Sequence, residues 1–261
     1  MTEPIHEHAP SGTQPNSVTT GDRATLVNDP IYRITVAVFA LLTTGMPATL
    51  GQFRFMPIVQ AIALTLFLGL ALRRGNLRAG YTVLGIWLGV QLVVMTLLTV
   101  LLPPHISERA ITEGFLHRQA LLEWVYAGTA YPSGILVAPL AYLIELVGIL
   151  LGGLLSAGLI GGWFFMRLVN FTAYSIGTMT VMAQGGLGML APLLIWNLLR
   201  LLGYAMLFPL VALPLQTGEW TLAAYWPRYR RRILLGGGLI LGGILLEVLL
   251  TPVWPQLLPQ S

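Results

Sequence analysis

The chain has 261 residues, of which 56% are apolar and only 9% charged, with a formal net charge of +4, whereas a soluble domain carries roughly 25% charged residues. Most of it therefore belongs in lipid. Cysteine is absent and all 14 basic side chains are Arg, which excludes disulfides, thiolate nucleophiles, Cys-ligated metals, Schiff-base lysines and a P-loop lysine.

Residues 1–30 are rich in Pro, Ser, Thr, His and acids and have no apolar run to nucleate a core, so a disordered cytoplasmic tail is expected. The first long apolar run follows Pro30 with no short basic region before it, so the first span is expected to insert uncleaved. A bilayer core of about 30 Å takes about 20 helical residues. That ruler gives three spans in the segment 31–102, at Ile34–Leu50, Phe55–Leu72 and Tyr81–Leu102, the first two joined by the tight turn Gly51–Arg54. Pro103-Pro104 ends the third. The outer loop 103–133 carries Ile111, Phe115, Leu122 and Val125 at helical spacing, the pattern of an interfacial amphipathic helix.

In the segment 134–252, the apolar run Gly134–Phe165 would measure about 48 Å as one helix. It is too long for an upright span, and cutting it in two leaves short arms, so a single tilted or kinked helix is expected. Leu168–Gln184 is a weaker span with Asn170, Thr172, Ser175, Thr178 and Thr180, which suggests burial among other helices. Leu187–Leu215 and Ile233–Leu250 complete about seven spans, and 253–261 is a C-terminal tail. The fold expected is an all-α polytopic bundle in a bacterial cytoplasmic membrane. Arg23, Arg33, Arg73, Arg74, Arg78, Arg167, Arg228, Arg230, Arg231 and Arg232 then share the cytoplasmic side with the N-terminus, leaving Arg54, Arg109 and Arg118 outside.

Helices in lipid gain little hydrophobic energy from meeting, so close approach through small residues matters. Gly148, Gly152 and Ser156 share a face with Glu145, Gly236 and Gly243 share one with Glu247, and Gly238 and Gly242 form another small-xxx-small pair. An ionised side chain at the bilayer centre costs at least ~2.5–3.5 kcal/mol on insertion scales. Counting residues from the outer ends of their spans puts Glu145 and Arg200 at nearly the same depth, which predicts an ion pair supported by Asn197, three residues before Arg200. Glu247, nearer the surface, is expected to need only water.

The remaining constellations are weak. His6, His8, His105 and His117 match no metal-ligand spacing, so no metal or other cofactor is expected. Asp22 and Asp29 precede the first span and cannot form an intramembrane dyad. Tyr131-Pro132-Ser133-Gly134 has the outline of a serine nucleophile turn, but no His lies within a span to serve it. Trp220, Tyr225, Trp226 and Tyr229 interleave with Arg228, Arg230, Arg231 and Arg232, the composition of a lipid headgroup interface rather than of a nucleic-acid site.

The final third, from Arg231 through Leu235-Gly236-Gly237 to Leu246-Glu247-Val248-Leu249-Leu250-Thr251-Pro252, resembles the end of the stage II sporulation protein M family, in which a basic loop leads to a last helix closing on Glu and a Thr-Pro or Ser-Pro pair. Pro139, Glu145, Gly148 and Gly152 resemble another pattern of that family, although its Asn-Gly helix precedes that pattern, whereas Asn170 here follows it and is succeeded by Phe171. The resemblance implies an integral membrane scaffold. No catalytic set is apparent, so the expected function is a non-catalytic scaffold or accessory subunit of an envelope or transport complex, contacting lipid and other membrane proteins. A secondary transporter or permease using Glu145 and Arg200 is the alternative, favoured if a polar cavity surrounds those side chains.

Overall fold

The computed structural model describes residues 29–74, 77–182, 194–218 and 222–257. The expected tail, Arg23, Trp220 and the stretch 183–193 lie outside the described residues, as does the side chain of Arg74. Among those described, nine α-helices and no strands occur: α1 (Pro30–Thr49), α2 (Met56–Arg74), α3 (Leu77–Leu101), α4 (Pro104–Ser107), α5 (Gly114–Ala127), α6 (Pro139–Leu155), α7 (Leu159–Met182), α8 (Ile195–Thr217) and α9 (Leu222–Leu250). Five of these, α1, α2, α3, α8 and α9, are long and apolar enough to cross a membrane. The protein is a multi-pass membrane protein.

Several element boundaries are local chemistry. Asp29 caps α1 by accepting from the Ile31 amide at 2.9 Å, with Pro30 at the first helical position. In α8, Pro214 cannot donate to Leu210, and the Tyr225 hydroxyl from α9 donates to that Leu210 carbonyl instead, so the backbone group freed by proline is satisfied within the protein.

The apolar run 134–165, expected as one tilted helix, is two elements. Helix α6 stops at Leu155, Ala157 and Gly158 adopt positive φ of 55° and 98°, and α7 returns antiparallel beside α6. Ser156, expected as a packing residue, instead staples the turn: its hydroxyl donates to the Gly152 carbonyl at 2.6 Å and accepts from the Ile160 amide at 2.7 Å. Only α6, at 17 residues, is a short arm, because α7 runs on for 24 residues, and the glycines bring the two into contact at backbone distance. Gly148 lies against the Phe164 ring, Gly152 against Ile160, and Gly153 against Gly161 with no room for a Cβ at Gly161. The expected span 168–184 is the later part of α7, in which Asn170, Thr172, Ser175 and Thr178 are buried, as their composition suggests, and Thr180 is exposed. Asn170 accepts from Gln91 at 2.7 Å and donates to Gln60 at 2.8 Å, Gln60 donates to Thr44 at 2.8 Å, and Trp87 donates to Gln91 at 3.0 Å. One satisfied network thus ties α1, α2, α3 and α7. Thr96 adds a bond to the Ala173 carbonyl at 3.2 Å, beside the close approach of Gly177 to Thr99.

The two ends of the bundle differ. At one, the α1–α2 turn meets the α3–α6 connection, with Gly51 against Arg109, and Trp124 of α5 donates to the Thr251 carbonyl after α9 at 3.1 Å. At the other, Gln216 of α8 donates to the Ala157 carbonyl at 2.9 Å, and Arg73 of α2 donates to Gln216 at 3.0 Å. The helix in the outer loop presents a different face from the one expected. Leu121 and Trp124 are buried, while Phe115 is 61% exposed and Ile111 precedes the helix, buried beside Ala110.

Helix α9 begins eleven residues earlier than the expected span at Ile233, so Trp226, Arg228, Tyr229, Arg230, Arg231 and Arg232 lie on its first turns rather than in a loop. It packs on α8 through Gly203, Gly236 and Gly243, whereas nothing approaches the positions where Gly238 and Gly242 would carry a Cβ. The predicted Gly238/Gly242 pair therefore does no packing inside the chain, since the α8-facing stripe is the one that also carries Glu247. A Cβ at Gly203 would stand 2.7 Å from the Gly236 carbonyl oxygen and 2.9 Å from the Ile240 amide nitrogen, and overpacking of this kind costs about 1–3 kcal/mol. Gly203→Val is expected to lower the thermal midpoint of the detergent-solubilised protein clearly, with Gly238→Ala leaving it unchanged; equal shifts would refute this interface.

Candidate functional site

The glycine contact between α9 and α8 sets Glu247 against Arg200, and the α6–α7 hairpin brings Glu145 to the other side of the same guanidinium. Arg200 is 5% exposed and Glu247 2% exposed. Arg200 Nε lies 3.6 Å from Glu145 Oε1 and Nη1 lies 3.4 Å from Glu247 Oε2. The predicted Glu145–Arg200 pair is thus adjacent at ion-pair distance, though 3.6 Å is beyond hydrogen-bond reach. The Arg200 guanidinium also stands 4.3 Å from the Tyr142 ring centroid, a cation–π contact strengthened by burial.

Glu247 does not depend on surface water, contrary to its expected place near the interface. It accepts from the Ile135 amide at 2.6 Å and from the Tyr142 hydroxyl, because the chain entering α6 folds back over the end of α9. Asn197 supports the site indirectly: its amide nitrogen donates to the Tyr131 hydroxyl at 2.9 Å rather than bonding an acid. Burial among Trp124 and Trp196 pushes the Tyr131 phenol above its usual pKa, keeping it neutral as that acceptor.

Tyr131, Tyr142, Glu145, Asn197 and Arg200 line a cavity of about 400 Å³ between α6, α7, α8 and the Tyr131–Ser133 loop, whereas Glu247 is not part of its lining. Helices α6 and α7 are in tight contact near their shared turn, and the cavity lies toward their far ends, with Ile144 and Arg167 exposed at its lip. Arg167, expected in a cytoplasmic loop, sits eight residues into α7, about 12 Å along the helix, because α7 starts at Leu159. Its guanidinium rests 6.0 Å from the Trp163 and 5.7 Å from the Phe171 ring centroids. Three buried polar atoms in this cavity have no hydrogen-bond partner: Arg200 Nε, Glu145 Oε1 and Asn197 Oδ1. No group of His, Asp and Glu among the described residues is placed to hold a metal.

Sequence reading missed Arg167, Tyr142 and a second pair, His117 with Ser175. His117 of α5 reaches Ser175 of α7, Nε2 to Oγ at 2.8 Å, and Ser175 also lines the cavity. The Ser175 hydroxyl donates to the Phe171 carbonyl at 2.9 Å, so the imidazole donates through Nε2–H and is not oriented as a base toward that hydroxyl. The pair docks α5 on the bundle. Ser133 also borders the cavity.

Burial lowers the His117 pKa to about 4 from 6.5. The unfolded chain therefore binds the extra proton between those values, and docking weakens as pH falls through that window. The hydrogen-exchange protection factors of α5, taken relative to the intrinsic rate at each pH, are expected to fall between pH 6.5 and 4, and His117→Gln, which keeps a donor but cannot titrate, is expected to flatten that profile. A second prediction concerns the buried triad. Removing one member of a buried ion pair costs about 3–5 kcal/mol, so Arg200→Met, which strands Glu145 and Glu247, is expected to lower the thermal midpoint strongly, with the triple variant that also carries Glu145→Gln and Glu247→Gln recovering part of it.

Comparison with family models, curated proteins and solved structures gave no match.

Proposed function

We propose that the protein is a permease of a bacterial cytoplasmic membrane that binds a small polar solute between α6, α7 and α8. The observation that carries this reading is the cavity of about 400 Å³ that Glu145, Arg167, Asn197 and Arg200 line together with apolar side chains, since a scaffold needs only dry, closed contact at a buried ion pair. Polar and ionisable side chains in the membrane mark substrate and ion pathways, and sites between bundle helices are a common place for ligands. Glu145 is the titratable group of the pathway, lying between Arg200 and the cavity.

In this reading α6 and α7 cross the membrane with the five longer helices, giving seven spans. Arg73, Arg78, Arg228, Arg230, Arg231 and Arg232 then gather at the cytoplasmic end with the start of α1, and Arg54, Arg109 and Arg118 at the outer end, as the positive-inside rule requires. Helix α5 lies at the outer interface. The first turns of α9 meet anionic headgroups, with Arg232 placed 5.3 Å from the Tyr81 ring centroid.

A second reading, the scaffold, is favoured by the outward face of α9, where Gly237, Gly238 and Gly242 have open space above them and where another membrane protein could approach closely. The likeness to the stage II sporulation protein M family points the same way. Purified protein in proteoliposomes separates the two. A permease is expected to accumulate solute in a pH-dependent manner that Glu145→Gln abolishes, with circular dichroism and gel filtration showing that the variant, although less stable, is folded and monodisperse; absence of flux across amino acids, organic acids, sugars and amines, together with co-purifying membrane partners, would sink it.

A further inference from the structure

The cavity has a charge balance that restricts its ligand. Glu145, Arg167 and Arg200 line the cavity, and Glu247, outside the lining, is paired with Arg200, so two carboxylates and two guanidinium groups balance at the site. A purely anionic or cationic ligand therefore leaves an uncompensated charge in a site largely shielded from water, which is costly. The unpartnered atoms are also of both kinds. Arg200 Nε and Glu145 Oε1 face each other at 3.6 Å without a hydrogen bond, and Asn197 Oδ1 is a buried acceptor with no hydrogen-bond partner. Buried polar groups are almost always paired, so a matching ligand offers an acceptor to the first and donors to the other two.

Arg167 adds a second constraint. It is exposed at the lip, about 12 Å from the start of α7 and about 22 Å from Met182 at 1.5 Å per residue, and makes no ion pair within 4 Å among the described residues. With α7 spanning as proposed, a guanidinium at that depth is costly in hydrocarbon, and water or an oxyanion at the cavity mouth relieves that cost. Its stacking on Trp163 and Phe171 holds the planar fork at the cavity mouth, and such a fork matches carboxylate or phosphate geometry.

We infer that the cavity takes a small zwitterion, an oxyanion held between Arg167 and Arg200 with an ammonium a few bonds away held by Glu145 and Asn197. The inference rests on the binding role proposed for this cavity and names its substrate class. Two sources share this chemistry: a free amino acid, and the ethanolamine phosphate headgroup of a lipid entering between α6 and α7.

Ligand-induced thermal shifts of the full-length protein in detergent test it without requiring transport. The soluble probes are a mixture of the common amino acids, the same mixture N-acetylated, which keeps only the carboxylate, and the corresponding amino acid amides, which keep only the ammonium. The lipid probes are lysophosphatidylethanolamine and lysophosphatidylglycerol. Stabilisation is expected from the free amino acids or from lysophosphatidylethanolamine, whichever is the source, and not from the half-ligands or lysophosphatidylglycerol. Arg167→Gln, at an exposed side chain, is expected to keep the unliganded midpoint and to lose about tenfold in affinity, the equivalent of ~1.4 kcal/mol. Equal stabilisation by a half-ligand or by lysophosphatidylglycerol, no shift with any probe, or undiminished affinity in Arg167→Gln would overturn the inference. Zwitterion binding without proteoliposome flux would leave it standing and sink the permease; flux of a solute with a single charge sign would do the reverse.

Discussion

A guanidinium held between two carboxylates, away from bulk water, is the constraint around which the second half of the chain is arranged. Arg200 is always charged, so its burial is compensated by Glu145 from α6 and Glu247 from α9, and meeting both fixes three helices in relative depth and rotation. The glycine contacts follow from that requirement. Gly203 and Gly236 bring α8 and α9 close enough for the Glu247 contact, and Gly148, Gly152 and Gly161 hold α6 to α7 so that Glu145 faces inward. In the first half a neutral network plays the comparable part, with Thr44, Gln60, Gln91 and Asn170 satisfying one another across four helices. Lipid offers no hydrogen bonds, so each half is specified by polar groups that have one mutual arrangement, while apolar packing is permissive.

Much of this is legible in the residues. Apolar run lengths locate α1, α2 and α3, because proline pairs and short polar turns bound them sharply. The depth of Glu145 relative to Arg200 comes from counting along helices, and it survives an error in the helix that carries Glu145 because both helices begin later than expected, which leaves Glu145 six residues into α6 and Arg200 five residues into α8. The hairpin is hidden because Ser156-Ala157-Gly158 contains no charge or proline. A turn at the tip of two closely packed helices needs only a positive-φ residue and a hydroxyl, and hydropathy averages over both.

The remaining discrepancies share a cause: periodicity identifies which residues share a face but not which neighbour the face meets. Gly238 and Gly242 have the spacing of a packing motif and open space above them, whereas Gly236 and Gly243, seven apart on the adjoining stripe, touch α8. Leu121 and Trp124, rather than Phe115 and Leu122, carry α5 because Trp124 finds the Thr251 carbonyl and the aromatic surface of Tyr131 and Trp196. Arg167 reads as a loop residue when no turn is expected earlier in the chain, and its position on the cavity follows directly from the hairpin.

The bond from Tyr225 to the carbonyl released by Pro214 has a mechanical consequence. A proline-interrupted helix ordinarily flexes at the break, because nothing holds the liberated oxygen. Here the following helix grips that oxygen and also lies on its neighbour at backbone distance through Gly203 and Gly236. The last two helices are therefore fastened to each other at two levels, which puts the basic, aromatic collar at the start of α9 and the Arg200 guanidinium on one braced pair.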